Sequence, residues 1–237
     1  MDVLVWGELG VTVAALDREL EGYAGDRQQV EDVADRRRIW VAEKKRRLLE
    51  ERGHGLSSAA VFAAMTRVLP ADAIIAVDVG NNTYSFGRYF ECQRQAVLMS
   101  GYLGSIGFSL PAALGAWAAT QEDDPRFHGR KVVSISGDGG FGQYLAEVTT
   151  AVKYGMNITH FLLNDGQLGK ISKEQRAGGW HVWQTSLQNP DFAAFVNDCG
   201  GLGLRVEDPA DLDGVFEEAL AHDGFALVEM PTDAGLI

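Results

Sequence analysis

"SISGDGGFGQYL", residues 134–145, is the stretch from which the fold can be read. An apolar, strand-like run, "KVVSIS" (131–136), ends in Gly137-Asp138-Gly139-Gly140, and a helix-like pattern starts at once. Glycines let backbone approach a ligand closely. A carboxylate in the same turn would repel a phosphate unless a cation sat between them. A strand, a glycine-rich turn and a helix in this order predict a parallel α/β unit with a ligand at the strand's carboxyl end.

The same alternation runs outward in both directions. "SSAAVFAAMTRVL" (57–69) predicts a Ser-capped helix closed by Pro70, and "AIIAVDVG" (73–80) a buried strand ending in Gly80. "TYSFGRYF" (83–90) predicts a short helix, "AVLMS" (96–100) a strand, and "IGFSLPAALGAWAAT" (106–120) an Ala- and Gly-rich helix. After the central turn come a helix in "FGQYLAEVTTAVKYG" (141–155) and a strand in "ITHFLLND" (158–165). The pattern then continues through "PDFAAFVNDCG", "GLRV", "DLDGVFEEALAH" and "FALVEM". The fold class expected is α/β, a mostly parallel sheet with helices on both faces. "DVGNN" (78–82), "GDGG" and "LLNDGQLG" (162–169) all fall at strand carboxyl ends.

Residues 56–237 carry this pattern. Residues 1–22, containing "VLVWGELGVTVAALDREL", read as one terminal strand-and-helix unit of another domain. Residues 23–55 read as a polar helical linker. The basic run "DRRRIWVAEKKRRLLEER" (35–52) is interleaved with acids and apolar residues, which suits a solvated helix. The 237 residues carry a formal net charge of -12, so the chain lacks the footprint of a nucleic-acid binder. Cys92 and Cys199 fit neither a disulfide framework nor metal-ligand spacing, which points to the cytoplasm. No run approaches the about 20 apolar residues of a membrane span. The five histidines are scattered and carry no expected catalytic role.

Asp138 and Asp165 each end an expected strand, 27 residues apart, with one helix and one return strand between them. That unit can bring two strand ends side by side. Two carboxylates and a loop carbonyl form a hard-oxygen site suited to Mg2+, which is typically held by one or two carboxylates plus substrate phosphates. The turn lacks the GK[ST] of a phosphate-binding Walker loop.

This combination resembles the thiamine-diphosphate enzymes of the acetolactate synthase, pyruvate oxidase and pyruvate decarboxylase superfamily, over residues 56–237, their diphosphate-binding domain. The resemblance implies Asp138, Asp165 and the Gln167 carbonyl as Mg2+ ligands, with Asp165 where the family usually has Asn. It implies diphosphate contacts from Gly80, Asn81, Asn82, Gly137, Gly139 and Gly140, and cofactor contacts from Leu168 and Gly169. "SGYLGSIGFSLPAALGA" (100–116) matches the loop that carries the aminopyrimidine. By that match Ile106 is the wedge that bends the cofactor, flanked by Ser105. The Gly104 carbonyl and the Ile106 N–H would serve the pyrimidine.

The implied chemistry is decarboxylation of a 2-keto acid such as pyruvate, with the cofactor taking up the electrons. The continuation after the metal loop is more similar to the pyruvate oxidase branch, pyruvate:quinone oxidoreductases included. In that branch the helix within "LGKISKEQRAGGW" (168–180) faces substrate, which implies roles for Ile171 and Glu174, with Gln175 beside them. Lys170 departs from the aromatic residue of some relatives. An acetolactate-synthase-like carboligase is the alternative, and a non-catalytic cofactor-binding regulatory subunit is the alternative of another class. FAD in the oxidases lies mainly in a middle domain, of which too little is present to argue for flavin. The resemblance also implies a separate pyrimidine-binding domain or subunit supplying a catalytic glutamate. It further implies a dimer or tetramer, with the apolar helix 107–119 at an interface. Glu8 is not a substitute for that glutamate, so the chain alone is expected to have little activity.

Overall fold

The structure is a computed structural model that describes residues 5–235. The chain divides into a unit of residues 1–43 and a compact unit from Lys44 onward. In the first unit, helix α1 (Leu9–Glu19) is capped by Glu8, whose carboxylate accepts from Gly10 N at 3.0 Å and Val11 N at 2.7 Å. Those bonds hold the Glu8 carboxyl below its ordinary value. Glu8 is thus a helix cap by geometry. The strand expected at residues 3–6 lies partly outside the described residues, and Val5 and Trp6 are exposed and non-strand. Helix α2 (Arg27–Leu48) is one continuous helix with no buried residue, as its interleaved charges require.

The compact unit contains a six-stranded, all-parallel sheet. In chain order its elements are α3 (Ser58–Val68), β1 (Ile74–Val77), α4 (Asn81–Tyr89), β2 (Ala96–Met99), α5 (Ser109–Thr120) and β3 (Val132–Gly137). Next come α6 (Asp138–Phe141), α7 (Glu147–Lys153), β4 (Ile158–Asn164), α8 (Gly169–Ala177) and α9 (Phe192–Asp198). They are followed by β5 (Leu202–Arg205), α10 (Leu212–Ala221) and β6 (Ala226–Pro231). The strand order is β2-β1-β3-β4-β6-β5.

The order explains the layering. Parallel crossovers are right-handed, so a reversal of direction across the sheet moves the connecting helix to the other face. The connections β1 to β2 and β5 to β6 run one way, and their helices α4 and α10 join α3 on one face. Phe62, Phe86, Phe161 and Phe216 meet in that core. The connections β2 to β3, β3 to β4 and β4 to β5 run the other way. They place α5, α7 and α9 on the opposite face with Leu110, Phe141, Val148 and Phe192. β1, β3, β4 and β6 are buried on both sides and read as near-continuous apolar runs, which is why the sequence resolves them.

One expected element differs. The helix read across residues 141–155 is broken into the single turn α6, a 3-10 turn at Gly142–Tyr144, and α7. Helical conformation begins earlier, at Asp138 itself. Glycine costs about 1 kcal/mol per helical position relative to alanine, so Gly139, Gly140 and Gly142 do not sustain a regular helix there.

The sheet reverses its winding between β1 and β3. In open α/β sheets this switch point opens a crevice beyond the strand carboxyl ends. The loop at Asp78 and the turn at Asp138 therefore lie side by side at its mouth.

Candidate cofactor and metal site

A single pocket at this crevice gathers most of the residues expected from sequence. Gly80, Asn81, Asn82, Gly104, Ile106, Gly137, Asp138, Gly139, Gly140, Asp165, Gln167, Leu168, Gly169 and Ile171 all line it. Ser105 and Glu174 do not. Ser105 lies on the exposed loop, its N–H 3.3 Å from Ser100 Oγ. Glu174 forms an ion pair with Lys170 at 2.7 Å, and Lys170 also lies over the Tyr84 ring, 4.8 Å from its centroid. The Gln175 amide is tied to the backbone of Trp183 in both directions, at 3.1 and 3.3 Å. Of Lys170, Glu174 and Gln175, only Lys170 lines the pocket.

The glycines have specific neighbours. A Cβ on Gly140 would sit 2.6 Å from Asp78 Oδ2 and 3.2 Å from Gly107 N. A Cβ on Gly169 would sit 2.9 Å from Asp165 Oδ2 and would also collide with the Asn81 amide. The bare backbone at these two positions lets three loops close on one another.

Asp138 follows directly on β3, as the first residue of α6, and is 3% exposed. Its Oδ1 accepts from Gly139 N at 3.0 Å, and its Oδ2 accepts from Gly166 N at 2.9 Å and Asn189 Nδ2 at 2.6 Å. Burial raises its pKa, while these three bonds act against the rise. Asp165 is pushed up to about 7, chiefly by burial and then by the charge of Asp138. Its Oδ1 accepts only from Gln167 N within its own loop, at 3.1 Å. Two carboxylates close enough for one to raise the other's pKa are stabilised as anions by a cation. Among the described residues, nothing donates to the Gln167 carbonyl, and no group of three or more His, Cys, Asp and Glu side chains forms a metal cluster. Asp138, Asp165 and Gln167 line the same pocket and offer two carboxylates and one loop carbonyl, donor types that suit a hard cation keeping other ligands from water or phosphate.

The other half of the pocket has features that suit an anion. α4 and α8 both begin there, and neither start has a side-chain cap. Helix N-termini without caps present free N–H groups and a positive dipole end. Among the described residues, the buried Asn81 Nδ2 has no hydrogen-bond partner. A buried, unpaired donor costs about 1–3 kcal/mol, so a phosphate oxygen there would be stabilising. Asn82 differs from its neighbour, because its Nδ2 donates to the Asp78 carbonyl at 2.8 Å. The structure thus separates two adjacent asparagines that sequence treated alike.

Asp78 was not singled out from sequence. It is 1% exposed, and burial raises its pKa. It accepts from Val79 N at 2.6 Å, from Gly107 N at 2.9 and 3.1 Å, and from Ser109 Oγ at 3.3 Å. It fastens the residue after Ile106 to the end of β1. The available signal was an acid closing an otherwise apolar strand, the same signature as Asp138. Asp78→Ala is expected to lower stability by about 2 kcal/mol by orphaning these donors. It should also loosen the 104–107 loop, which hydrogen exchange at Gly107 reports; unchanged exchange there would contradict the anchoring role.

Comparison with known proteins gives consistent matches. Residues 78–230 match the family model for the thiamine pyrophosphate enzyme C-terminal TPP-binding domain. The chain is similar to a thiamine pyrophosphate-containing protein of Bacillus subtilis, YdaP, with 35% identity over 72% of this chain and 29% of that one. It is similar to a catabolic acetolactate synthase of Raoultella terrigena, with 29% identity over 98% of this chain and 40% of that one. Among solved structures, a thiamine diphosphate-dependent 4-hydroxybenzoylformate decarboxylase of Rhodococcus jostii superposes with a TM-score of 0.69 at 25% identity. That match covers 78% of this chain and 34% of the decarboxylase. The chain thus spans well under half the length of these relatives.

Proposed function

We propose a function from one premise: this chain belongs to the thiamine pyrophosphate enzymes, and residues 78–230 correspond to their C-terminal TPP-binding domain. Its pocket binds the diphosphate of thiamine diphosphate together with Mg2+, as part of an enzyme that decarboxylates a 2-keto acid such as pyruvate. The observation that carries this reading is that buried Asp138, half-buried Asp165 and the Asn81 amide, whose nitrogen has no partner among the described residues, line one crevice.

Asp138, Asp165 and the Gln167 carbonyl would hold the metal. Asn81 and the open starts of α4 and α8 would take the phosphate oxygens. Thiamine diphosphate, when bound, supplies an electron sink for carbon–carbon cleavage next to a carbonyl. Ile106 projects into the pocket and, on this reading, orients the cofactor's rings, with Asp78 fixing the adjacent backbone. Ile171 lines the same pocket and would bound the substrate side with apolar surface. Glu174, paired with Lys170, would join the chemistry only by leaving that ion pair.

The carboligase reading, acetolactate-synthase-like, has the support of acetolactate synthase relatives in bacteria, yeast and an archaeon. The pyruvate-oxidase-like reading rests on the residues that follow the metal loop. Either enzyme would complete its site with a pyrimidine-binding domain carrying the catalytic glutamate, in a dimer or tetramer. Among the described residues no helix is long and apolar enough to cross a membrane.

Calorimetric titration of thiamine diphosphate into the chain, with and without Mg2+, tests the proposal. Mg2+-dependent binding is expected. Absence of binding in both the isolated chain and the chain supplied with a pyrimidine domain would remove the cofactor assignment.

A further inference from the structure

Asp138 is not held by its own turn alone. Its Oδ2 takes a hydrogen bond from Asn189 Nδ2 at 2.6 Å, and the same nitrogen donates to Asn164 Oδ1 at 2.9 Å. Asn164 Nδ2 donates in turn to Glu229 Oε1 at 2.8 Å. Glu229 stands in β6 and is fully buried. Its other oxygen accepts from Ala193 N at 3.1 Å, and Arg205 Nη1 reaches Oε1 at 3.2 Å.

This relay has a fixed polarity. Both ends are carboxylates, which only accept when ionised. The two asparagine amides between them must therefore supply every donor. Asn189 turns both N–H groups toward acceptors, and Asn164 accepts on one side and donates on the other. Flipping either amide would set lone pair against lone pair or N–H against N–H. The network also distinguishes the two oxygens of Asp138. Oδ2 is taken by Gly166 N and Asn189, whereas Oδ1 accepts one bond, from the adjacent Gly139 N.

We propose that Asn189 and Asn164, anchored on Glu229, are positioning residues that clamp Oδ2 of Asp138 and so present Oδ1 to the divalent cation. This rests on the metal reading above. Neither asparagine touches the metal; they act through Asp138. Partners that orient a metal ligand are typically worth 10–100-fold in affinity. Cations differ in how much they need such orientation. Mg2+ demands near-ideal octahedral geometry, whereas Ca2+ accepts flexible arrangements.

The test titrates Mg2+ and Ca2+ separately into the full chain with thiamine diphosphate held constant. Wild type is compared with Asn189→Ala, Asn189→Asp, Glu229→Gln and Asp138→Ala, and each metal-free form is melted. Asn189→Ala is expected to lower Mg2+ affinity by about 10-fold or more and Ca2+ affinity by clearly less. Asn189→Asp keeps the shape but sets a third carboxylate against Asp138 and Asn164. It should shift the Mg2+ to Ca2+ preference in the same direction and serves if the alanine variant does not fold. Glu229→Gln should weaken Mg2+ in the same sense, through a mis-set Asn164. Mg2+ affinity within about twofold of wild type in both Asn189 variants would overturn the clamp. So would an equal loss for both cations that tracks a lower melting temperature, the mark of a merely structural role. If Asp138→Ala binds both cations like wild type, the metal site itself is wrong and the clamp falls with it. A large Asp138→Ala effect beside a null Asn189 result leaves the site standing and removes only the clamp.

Discussion

Asp138→Ala is expected to abolish Mg2+-dependent binding of thiamine diphosphate, with a loss of at least about 100-fold in affinity, in this chain or any assembly containing it. The magnitude exceeds the 10–100-fold typical of an orienting partner because, on the proposed reading, Asp138 would be a direct ligand. The carboxylate is also the point where Gly139, Gly166 and Asn189 converge, so its removal frees three donors. The metal-free variant is expected to stay folded, because deleting Asp138 removes one of the two causes that raise Asp165. Thermal melting separates the two effects. Wild type at 100 times its dissociation constant should gain about 2.7 kcal/mol from ligand, and the variant nothing. An unchanged Mg2+-dependent affinity would withdraw Asp138 from the metal site.

The second large effect concerns pH and a residue remote from chemistry. His160, in the middle of β4, is fully buried, and burial lowers its pKa to about 3. Its Nε2 meets Ser136 Oγ at 2.8 Å, its Nδ1 has no partner among the described residues, and its ring lies against Phe141 at 4.5 Å between centroids. The imidazole is neutral in the folded chain. An unfolded chain takes up a proton below about pH 6.5, and the folded chain does so only near 3, so more protons bind to the unfolded state in between. Stability from this group is complete above about pH 6.5 and drains away as pH falls toward 3. The whole window corresponds to about 5 kcal/mol. Urea unfolding at several pH values, for wild type and His160→Gln, measures it. The variant, which does not titrate, should start less stable at pH 7.5 and lose less between pH 6.5 and 4.5. Parallel losses in the two proteins would show that other groups carry the acid sensitivity.

Glu8, Asn82 and Asp78 show where sequence reading stops. Glu8 could be set aside as a catalytic group from its place in the chain, but only coordinates show it closing the start of α1. Asn81 and Asn82 are adjacent and chemically identical, so no pattern distinguishes them. One helical step turns the first into the pocket and the second back onto the Asp78 carbonyl. Asp78 was readable as an acid ending a strand, yet its partners, Gly107 and Ser109, lie 29 and 31 residues away.

By itself the sequence determined the elements and their class. Strands buried on both faces must be continuously apolar, helices must repeat every three to four residues, and turns at strand ends need glycine. Those are local constraints, written in consecutive residues, and with them came Asp138, Asp165 and the glycines around them. Only the tertiary structure decided which strand ends are neighbours, since the reversal between β1 and β3 is a property of the whole sheet. It decided that Glu174 pairs with Lys170, that the helix after Asp138 breaks at its glycines, and that Asn164, Asn189 and Glu229 form one chain of hydrogen bonds. The physical reason is range. Hydrogen bonds and buried charges act over a few ångströms in space between residues far apart in sequence, 65 positions for Asn164 and Glu229, and no local pattern encodes that distance.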